Sequence, residues 1–439
     1  MNNSIVLKFG GSSLADAEQY RKVKEIILSN PDRKYVVASA PGKRDKNDIK
    51  VTDMLYKCYD LAAAGRDPAP ALRSVRDRYA SIISELGIDF DIDGEIEKLR
   101  RQLLAEPSKN YTASRGEYLG SRVLAAFIGW QFVDAAELIF FKEDGRLDDE
   151  KTYSSIKERL AGLDNAVIPG FYGSMPDGKI RTFSRGGSDI SGSIVACGVG
   201  ARLYENWTDV SGMLATDPRI VEDPKGIEVV TYRELRELSY MGASVMHESA
   251  VFPVKLAGIP INIRNTNRPE DKGTMIVSTL PIWAKRRIVT GIAGKKGFST
   301  VYISKTMLND EVGFVAKVLN IFAEEGISIE HVPTGIDTMS VIAGTDKLRG
   351  KEDAILSKIR DALAPDELEC EEGLALIAVV GHGMAYAVGT AQRVFRAISD
   401  AGVNCRMIDQ GSTELNIIVG VDEEDYEKAI RAIYKEFFE

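Results

Sequence analysis

Ile5-Val6-Leu7-Lys8-Phe9-Gly10-Gly11-Ser12-Ser13 is a short apolar strand, broken only by Lys8, that runs straight into a glycine turn. A helical pattern follows. Tyr20, Val23, Ile26 and Ile27 fall on one face, and Asn30-Pro31 is its stop. Tyr35 to Ala38 reads as a second strand. Strand, glycine turn, helix, strand is the order of a right-handed crossover, so the N-terminal part is expected to build a mainly parallel α/β sheet. Further along, residues 54–105 read as largely helical, with breaks around 65–70 and 87–94. A helix is expected over 116–130, strands over 137–141 and 166–169, and a helix of small residues over 191–203.

Near Trp283 the pattern changes, and two units follow that each run strand, helix, strand, strand, helix. The first takes 299–304, 313–325, 328–332, 339–343 and 352–363. The second takes 374–381, 389–401, 403–409, 414–421 and 423–437. This is an internal repeat of about 70 residues in a ferredoxin-like βαββαβ order. The second copy lacks a fourth strand, which 288–293 could supply. The expected division is therefore 1–283 and 284–439. Within the latter, a first repeat at about 297–372 is nested in a second formed by about 286–296 plus 373–439.

At about 150 residues per domain, 439 residues suggest about three domains. A net charge of −9 argues against nucleic-acid binding. No apolar run approaches the roughly 18 residues of a membrane span. The opening Met1-Asn2-Asn3-Ser4 lacks the basic-then-apolar pattern of a signal peptide. Cys58, Cys197, Cys370 and Cys405 are far apart, which speaks against a disulfide framework or zinc site and for reduced thiols in the cytoplasm.

Gly173 to Lys179 imitates the first seven positions of a Walker A loop. Ile180 follows where a magnesium-binding hydroxyl is needed, and Pro176-Asp177-Gly178 is turn chemistry, so a hairpin tip is expected. No Gly-x-Gly-x-x-Gly follows a strand, which leaves dinucleotide binding without support. Three other stretches set small residues beside charges: Lys8 to Ser13, Ser184-Arg185-Gly186-Gly187-Ser188-Asp189, and Trp207-Thr208-Asp209-Val210-Ser211-Gly212. Any one such stretch reads as a tight turn. Three of them, with Lys8, Arg185, Asp189 and Asp209 nearby, point to a nucleotide phosphate site, where backbone N–H groups and a lysine meet phosphate oxygens.

Taken in order, Lys8-Phe9-Gly10-Gly11-Ser12-Ser13, the Ser39-Ala40 turn, Gly116-Glu117, Arg185 to Asp189, and Trp207-Thr208-Asp209 with Thr216-Asp217-Pro218-Arg219 resemble aspartate kinase. The repeat behind them resembles the paired ACT domains of monofunctional members, so a fused homoserine dehydrogenase is not expected. The resemblance implies an amino-acid kinase three-layer αβα sandwich followed by two ACT domains. It also implies ATP-dependent phosphorylation of the side-chain carboxylate of L-aspartate. Lys8 and Asp189 would be catalytic, Lys8 offsetting charge at the β/γ-phosphates and Asp189 orienting Lys8 or the substrate amine. Gly10, Gly11 and Ser12 would cradle phosphate, with Thr208, Asp209 and Arg219 around the nucleotide. Arg185 would pair with the substrate α-carboxylate and Glu117 with its ammonium, with Ser39, Thr52, Gly187 and Ser188 completing the pocket. Magnesium is implied by ATP chemistry, not by a protein ligand motif.

The chain departs from the family pattern at Ser244, where the family has a nucleotide-contacting lysine, and at Leu214, where it has a tyrosine. The loop from Ser39 to Thr52 is lengthened and carries Lys43, Arg44, Lys46 and Lys50. It reads as a solvated loop or, more sharply, as a phosphate-covering lid. In the first repeat, Met307, Asp310, Glu311, Gly313, Phe314, Ser328, Ile329 and Glu330 resemble a lysine effector site, with threonine the rival ligand. Pairing through ACT units implies a homodimer, or a tetramer built from such dimers. The alternatives are a kinase for another amino-acid carboxylate and a catalytically weak, amino-acid-binding regulatory protein.

Overall fold

A computed structural model describes residues 3–184, 186–243, 246, 248–282 and 287–439. They form two compact units. The first comprises 1–213, 226–232 and 245–281, the second 214–225, 233–244 and 282–439.

The first unit opens with β1 (Ile5–Phe9), a 3-10 turn Gly11–Leu14, α1 (Ala17–Leu28) and β2 (Arg33–Ala38). The Asp16 carboxylate caps α1 by accepting the Gln19 N–H at 3.0 Å, and Tyr20, Val23, Ile26 and Ile27 are buried along one face, as expected. Four helices follow: α2 (Val51–Ala63), α3 (Ala69–Leu86), α4 (Ile92–Ala105) and α5 (Lys109–Ile128). α5 starts earlier than expected because the Ser108 hydroxyl caps it at the Tyr111 N–H. Next come β3 (Gln131–Phe132), α6 (Asp149–Leu160), β4 (Ala166–Pro169), β5 (Tyr172–Ser174), β6 (Ile180–Thr182), α7 (Gly187–Gly198) and β7 (Leu203–Thr208). The strand expected over 137–141 is absent. A 3-10 turn, Ala135–Glu137, capped by Asp134, occupies its start, and only single bridges at Phe140 and Phe141 remain. α7 begins at Gly187 rather than 191, which puts Asp189 in its first turn. β5 and β6 form the hairpin read from Pro176-Asp177-Gly178, with Gly178 at φ 80°.

After the short strands β8 (Met213–Leu214), β9 (Gly226–Ile227) and β10 (Val229–Thr231) come α8 (Tyr232–Tyr240), α9 (Glu248–Leu256), β11 (Ile261–Asn265) and β12 (Thr274–Val277). The main sheet has eight strands in the order β10-β12-β11-β7-β1-β2-β4-β3. Every pairing in it is parallel except β11 with β12. β1 is central and fully buried, which is why it is continuously apolar but for Lys8.

The second unit carries a six-stranded antiparallel sheet. Its elements are β13 (Gly291–Ser304), α10 (Phe314–Glu324), β14 (Ile329–His331), β15 (Thr338–Gly344), α11 (Thr345–Leu348), α12 (Glu352–Leu363), β16 (Glu367–Val380), α13 (Thr390–Asp400), β17 (Met407–Asp409), β18 (Asn416–Asp422) and α14 (Tyr426–Phe438). The strand order is β14-β15-β13-β16-β18-β17. β13 and β16 are each single 14-residue strands that serve both repeats. Gly291–Lys295 pairs with Val380–Leu376, and after a register shift Phe298–Ser304 pairs with both β15 and the first half of β16. β14 and β17 are the two ends of this order, yet His331 Nδ1 and Asp409 Oδ2 are 2.6 Å apart, so the sheet curls until its edges meet. Among the described residues no helix is long and apolar enough to cross a membrane.

Candidate active site

β1, β2 and β7 end level with one another, Phe9 lying opposite Ala38 on one side and Trp207 on the other. In a parallel α/β sheet the crevice at the carboxyl ends of the strands is where ligands bind. The residues that leave those ends are Gly10, Ser39 and Asp209. β4 ends at the same side, where a Cβ on Gly170 would lie 2.7 Å from that of Ser188, so the first turn of α7 packs against it.

Lys8 is the one cation on β1, with its side chain 10 % exposed. Its Nζ lies 2.6 Å from Asp189 Oδ1. Asn206 stands opposite Lys8 in the β1–β7 register, accepts from it at 3.5 Å and donates to Asp189 Oδ1 at 3.1 Å. A buried ammonium held this way is fixed in direction, ready for an incoming anion. The adjoining turn leaves space for one. A Cβ on Gly10 would sit 3.5 Å from Lys8 Nζ. Gly11 is required for a different reason, since a Cβ there would be 2.9 Å from the Ala40 carbonyl oxygen. Gly10 itself donates its N–H to the Trp207 carbonyl at 3.0 Å, which fixes the turn to β7, and Ser12 follows Gly11 in the 3-10 turn.

Glu117 projects from α5 and is 6 % exposed. Its Oε2 has no hydrogen-bond partner among the described residues. Burial pushes its pKa up to about 8, opposed in part by the Ala40 N–H. Ala40 also sits against Gly116, where a Cβ would come within 2.8 Å of its own. Ser39 and Glu117 are thereby brought together, with Ser39 buried and Thr52 half-buried in the first turn of α2. At the other side, the Thr208 hydroxyl donates to the exposed Asp209 at 3.1 Å. The Thr208 carbonyl receives the N–H of Thr266, whose hydroxyl meets Ser13 at 2.7 Å.

Some expected residues fall in the second unit or outside the described residues. Arg219 belongs to the second unit, where it is exposed and gripped by Asp217 at 2.6 Å. Leu214 is also in that unit and exposed. Arg185 and Ser244 lie outside the described residues. Asn206 was missed in the sequence although it stands one position ahead of Trp207-Thr208-Asp209.

In the second unit, Phe314 is a buried core residue at the start of α10, and its N–H is taken by the Glu311 carbonyl at 3.1 Å. Glu311 is held by Lys305 and Lys317 at 2.6 and 3.0 Å. Met307 is exposed at φ 61°, its N–H donated to Asp337 at 2.9 Å, with Asp310 closing the same 3-10 turn. Gly313 caps α10 at φ 84°. Ser328 leads into β14, where Ile329 pairs with Ala343. Glu330 is not free: the Tyr240 hydroxyl, from α8, donates to its carboxylate. Burial and that carboxylate push the Tyr240 pKa up to about 12. Tyr240 was not expected there.

Residues 3–265 match the amino acid kinase family and 377–437 an ACT domain. Over 452 residues the chain is 42% identical to aspartokinase 3 of Bacillus subtilis, covering 99% of this chain and 98% of that one. The chain belongs to the aspartate kinase family. Its fold superposes on the crystal structure of Clostridium acetobutylicum aspartate kinase with a TM-score of 0.90 at 50% identity, covering 99% of this chain and all of that one. It is also 26% identical to the lysine-sensitive aspartokinase 3 of Escherichia coli over the full length of both.

Proposed function

We infer that this chain transfers the γ-phosphoryl group of ATP to the side-chain carboxylate of L-aspartate, giving 4-phospho-L-aspartate and ADP. That is the first step toward the aspartate-derived amino acids lysine, threonine and methionine. Family membership supplies the reaction, and one observation supports the amino-acid pocket most strongly. Glu117 is a buried carboxylate with an unpartnered oxygen, the feature an ammonium would complete.

The substrate carboxylate has an ordinary pKa of about 3.9 and needs no general base. What the site must do is bring two anions together and hold them in line. Lys8 is the positive charge placed for the transferring group, and Asp189 and Asn206 keep it aimed. Gly11 and Ser12 receive phosphate oxygens on their N–H groups, Gly10 keeps the turn narrow beside Lys8, and Thr208 and Asp209 stand at the nucleotide edge. Ser39, Thr52, Gly187, Ser188 and Arg185 surround the aspartate. Magnesium arrives with the ATP phosphates.

L-lysine is the proposed feedback effector, bound near Met307, Phe314, Ser328, Ile329 and Glu330, with Glu330 toward its ammonium. The lysine-sensitive relative supports this choice. To bind so, lysine would compete with the Tyr240 hydroxyl for that carboxylate. The shared strands β13 and β16 support a catalytic part at 1–283 and an ACT1 of about 297–372 set within an ACT2 of about 286–296 plus 373–439. Segments 214–225 and 233–244 pack with the regulatory unit all the same. Exposed Val312, Ile336 and Val388 on the ACT units support a homodimer. Four unbridged cysteines support a cytoplasmic setting.

ADP release with MgATP and L-aspartate, L-glutamate or N-acetylglutamate tests the substrate. Release with L-aspartate alone is expected; release with either alternative instead would reassign the kinase.

A further inference from the structure

We propose that Arg78, on α3, is a positioning residue for phosphoryl transfer, fixing the Ser39–Thr52 loop against the glycine turn. This rests on the aspartate kinase reading of the same site. The hydrogen bonds of Arg78 go to Gly42, Asp48 and Ile49, none of them a proposed substrate contact, so it acts through the loop. Its guanidinium, 3 % exposed, donates to the Gly42 carbonyl at 3.0 Å, to both Asp48 oxygens at 2.6 Å and to the Ile49 carbonyl at 3.2 Å. Asp48 is gripped from its other side by the Arg44 side chain and N–H, each at 2.9 Å.

The loop so held is the one that touches the phosphate turn. Gly42 donates its N–H to the Gly11 carbonyl at 2.8 Å, and a Cβ on Gly42 would come within 2.6 Å of the Gly11 carbonyl carbon. Any drift of the loop is therefore felt at Gly11. Its far end starts α2, where the Val51 N–H meets the Pro41 carbonyl at 3.3 Å and Thr52 follows. The residue after Arg78 reinforces the pattern. The Tyr79 hydroxyl donates to the Gly116 carbonyl at 2.6 Å, directly ahead of Glu117. Two consecutive side chains of α3 thus hold the backbone between Ser39 and Thr52 and the backbone just ahead of Glu117. A planar fork satisfying two carbonyls and a carboxylate fixes position in a way that apolar packing does not. The lengthened loop is accordingly a solvated strap tied at its base: residues 43–47 are exposed, while Gly42, Asp48 and Ile49 are held by Arg78.

The full-length Asp48→Asn, Arg78→Lys and Arg78→Met variants test this, by steady-state kinetics, calorimetric titration with ADP, and thermal melting. The expected result for Asp48→Asn is a drop in kcat/KM of about tenfold to a hundredfold, with a raised KM for ATP and ADP affinity weakened in parallel. Its melting temperature should stay well above that of the assay. Arg78→Lys should recover part of what Arg78→Met loses. Kinetic constants and ADP affinity within twofold of the parent for Asp48→Asn would overturn the proposal, as would losses that only track the unfolded fraction. Should the parent chain fail to turn over aspartate, the kinase reading fails, and the ADP titration still decides the role of the strap.

Discussion

Replacing Glu117 by Gln should make the ligand-free protein more stable while it loses aspartate. The carboxylate is buried, one of its oxygens is unpartnered, and burial lifts its pKa from 4.5 to about 8. A folded-state pKa above the unfolded one means that folding is favoured by protonation. The stabilising contribution is complete below about pH 4.5, is lost progressively as pH rises toward 8, and is constant beyond. At pH 7 the folded chain binds a proton that the unfolded chain has released, a penalty of about 3 kcal/mol at roughly 1.4 kcal/mol per pH unit. Gln has the same shape without the charge, although its amide N–H also needs a partner and takes back part of the gain. The expected net is about 1–3 kcal/mol at pH 7 to 8, read as a rise in melting temperature on the order of 2–8 °C. The assay is thermal melting of parent and variant from pH 4.5 to 8.5, with and without L-aspartate. The gap should close toward pH 4.5, and aspartate should raise only the parent. A variant equally stable or less stable at pH 8, with a difference that does not move with pH, would refute the assignment of Glu117 as an unpaired acid awaiting an ammonium.

The remaining predictions follow from single contacts. Because aspartate binding must free Glu117 of its proton, calorimetry at pH 7 in buffers of different ionisation enthalpy should show release of about one proton, and affinity should strengthen from pH 6 to 8; binding without proton release would contradict it. Lys8→Met removes the cation beside the glycine turn and should lower kcat by about a hundredfold to a thousandfold while ADP binding falls far less; kcat within tenfold would speak against a role in the transfer. Tyr240→Phe removes the hydroxyl that now occupies Glu330, so lysine should inhibit at a concentration about twofold to tenfold lower. An unchanged or weaker response would place the effector elsewhere.

Much of the architecture is legible because it is local. The β1 run, the buried face of α1 and its Asn30-Pro31 stop are readable from periods and punctuation alone, as are the two ACT repeats, where Gly313 and Gly389 each take positive φ before a helix. The glycine turn is legible as a turn built for close backbone approach, the basis of the proposed phosphate site, because backbone chemistry announces itself in composition. What sequence does not carry is pairing across the chain. Asn206 becomes part of the site only through the β1–β7 register, Arg78 only because α3 folds back onto the Gly42–Ile49 backbone, and Tyr240 only because α8 lies in the regulatory unit. The misplaced strand at 137–141 has a similar cause. Its apolar residues suit a strand, but Asp134 caps a turn there instead.

The most direct test of the central claim is to trap the product with hydroxylamine after incubation with MgATP and L-aspartate, with and without L-lysine, and to identify the hydroxamate. The β-hydroxamate of aspartate, formed with ADP in equal amount and suppressed by lysine, is the predicted result. ADP without any aspartyl hydroxamate, or hydroxamate at the α-carboxyl, would contradict the reaction assigned to this site.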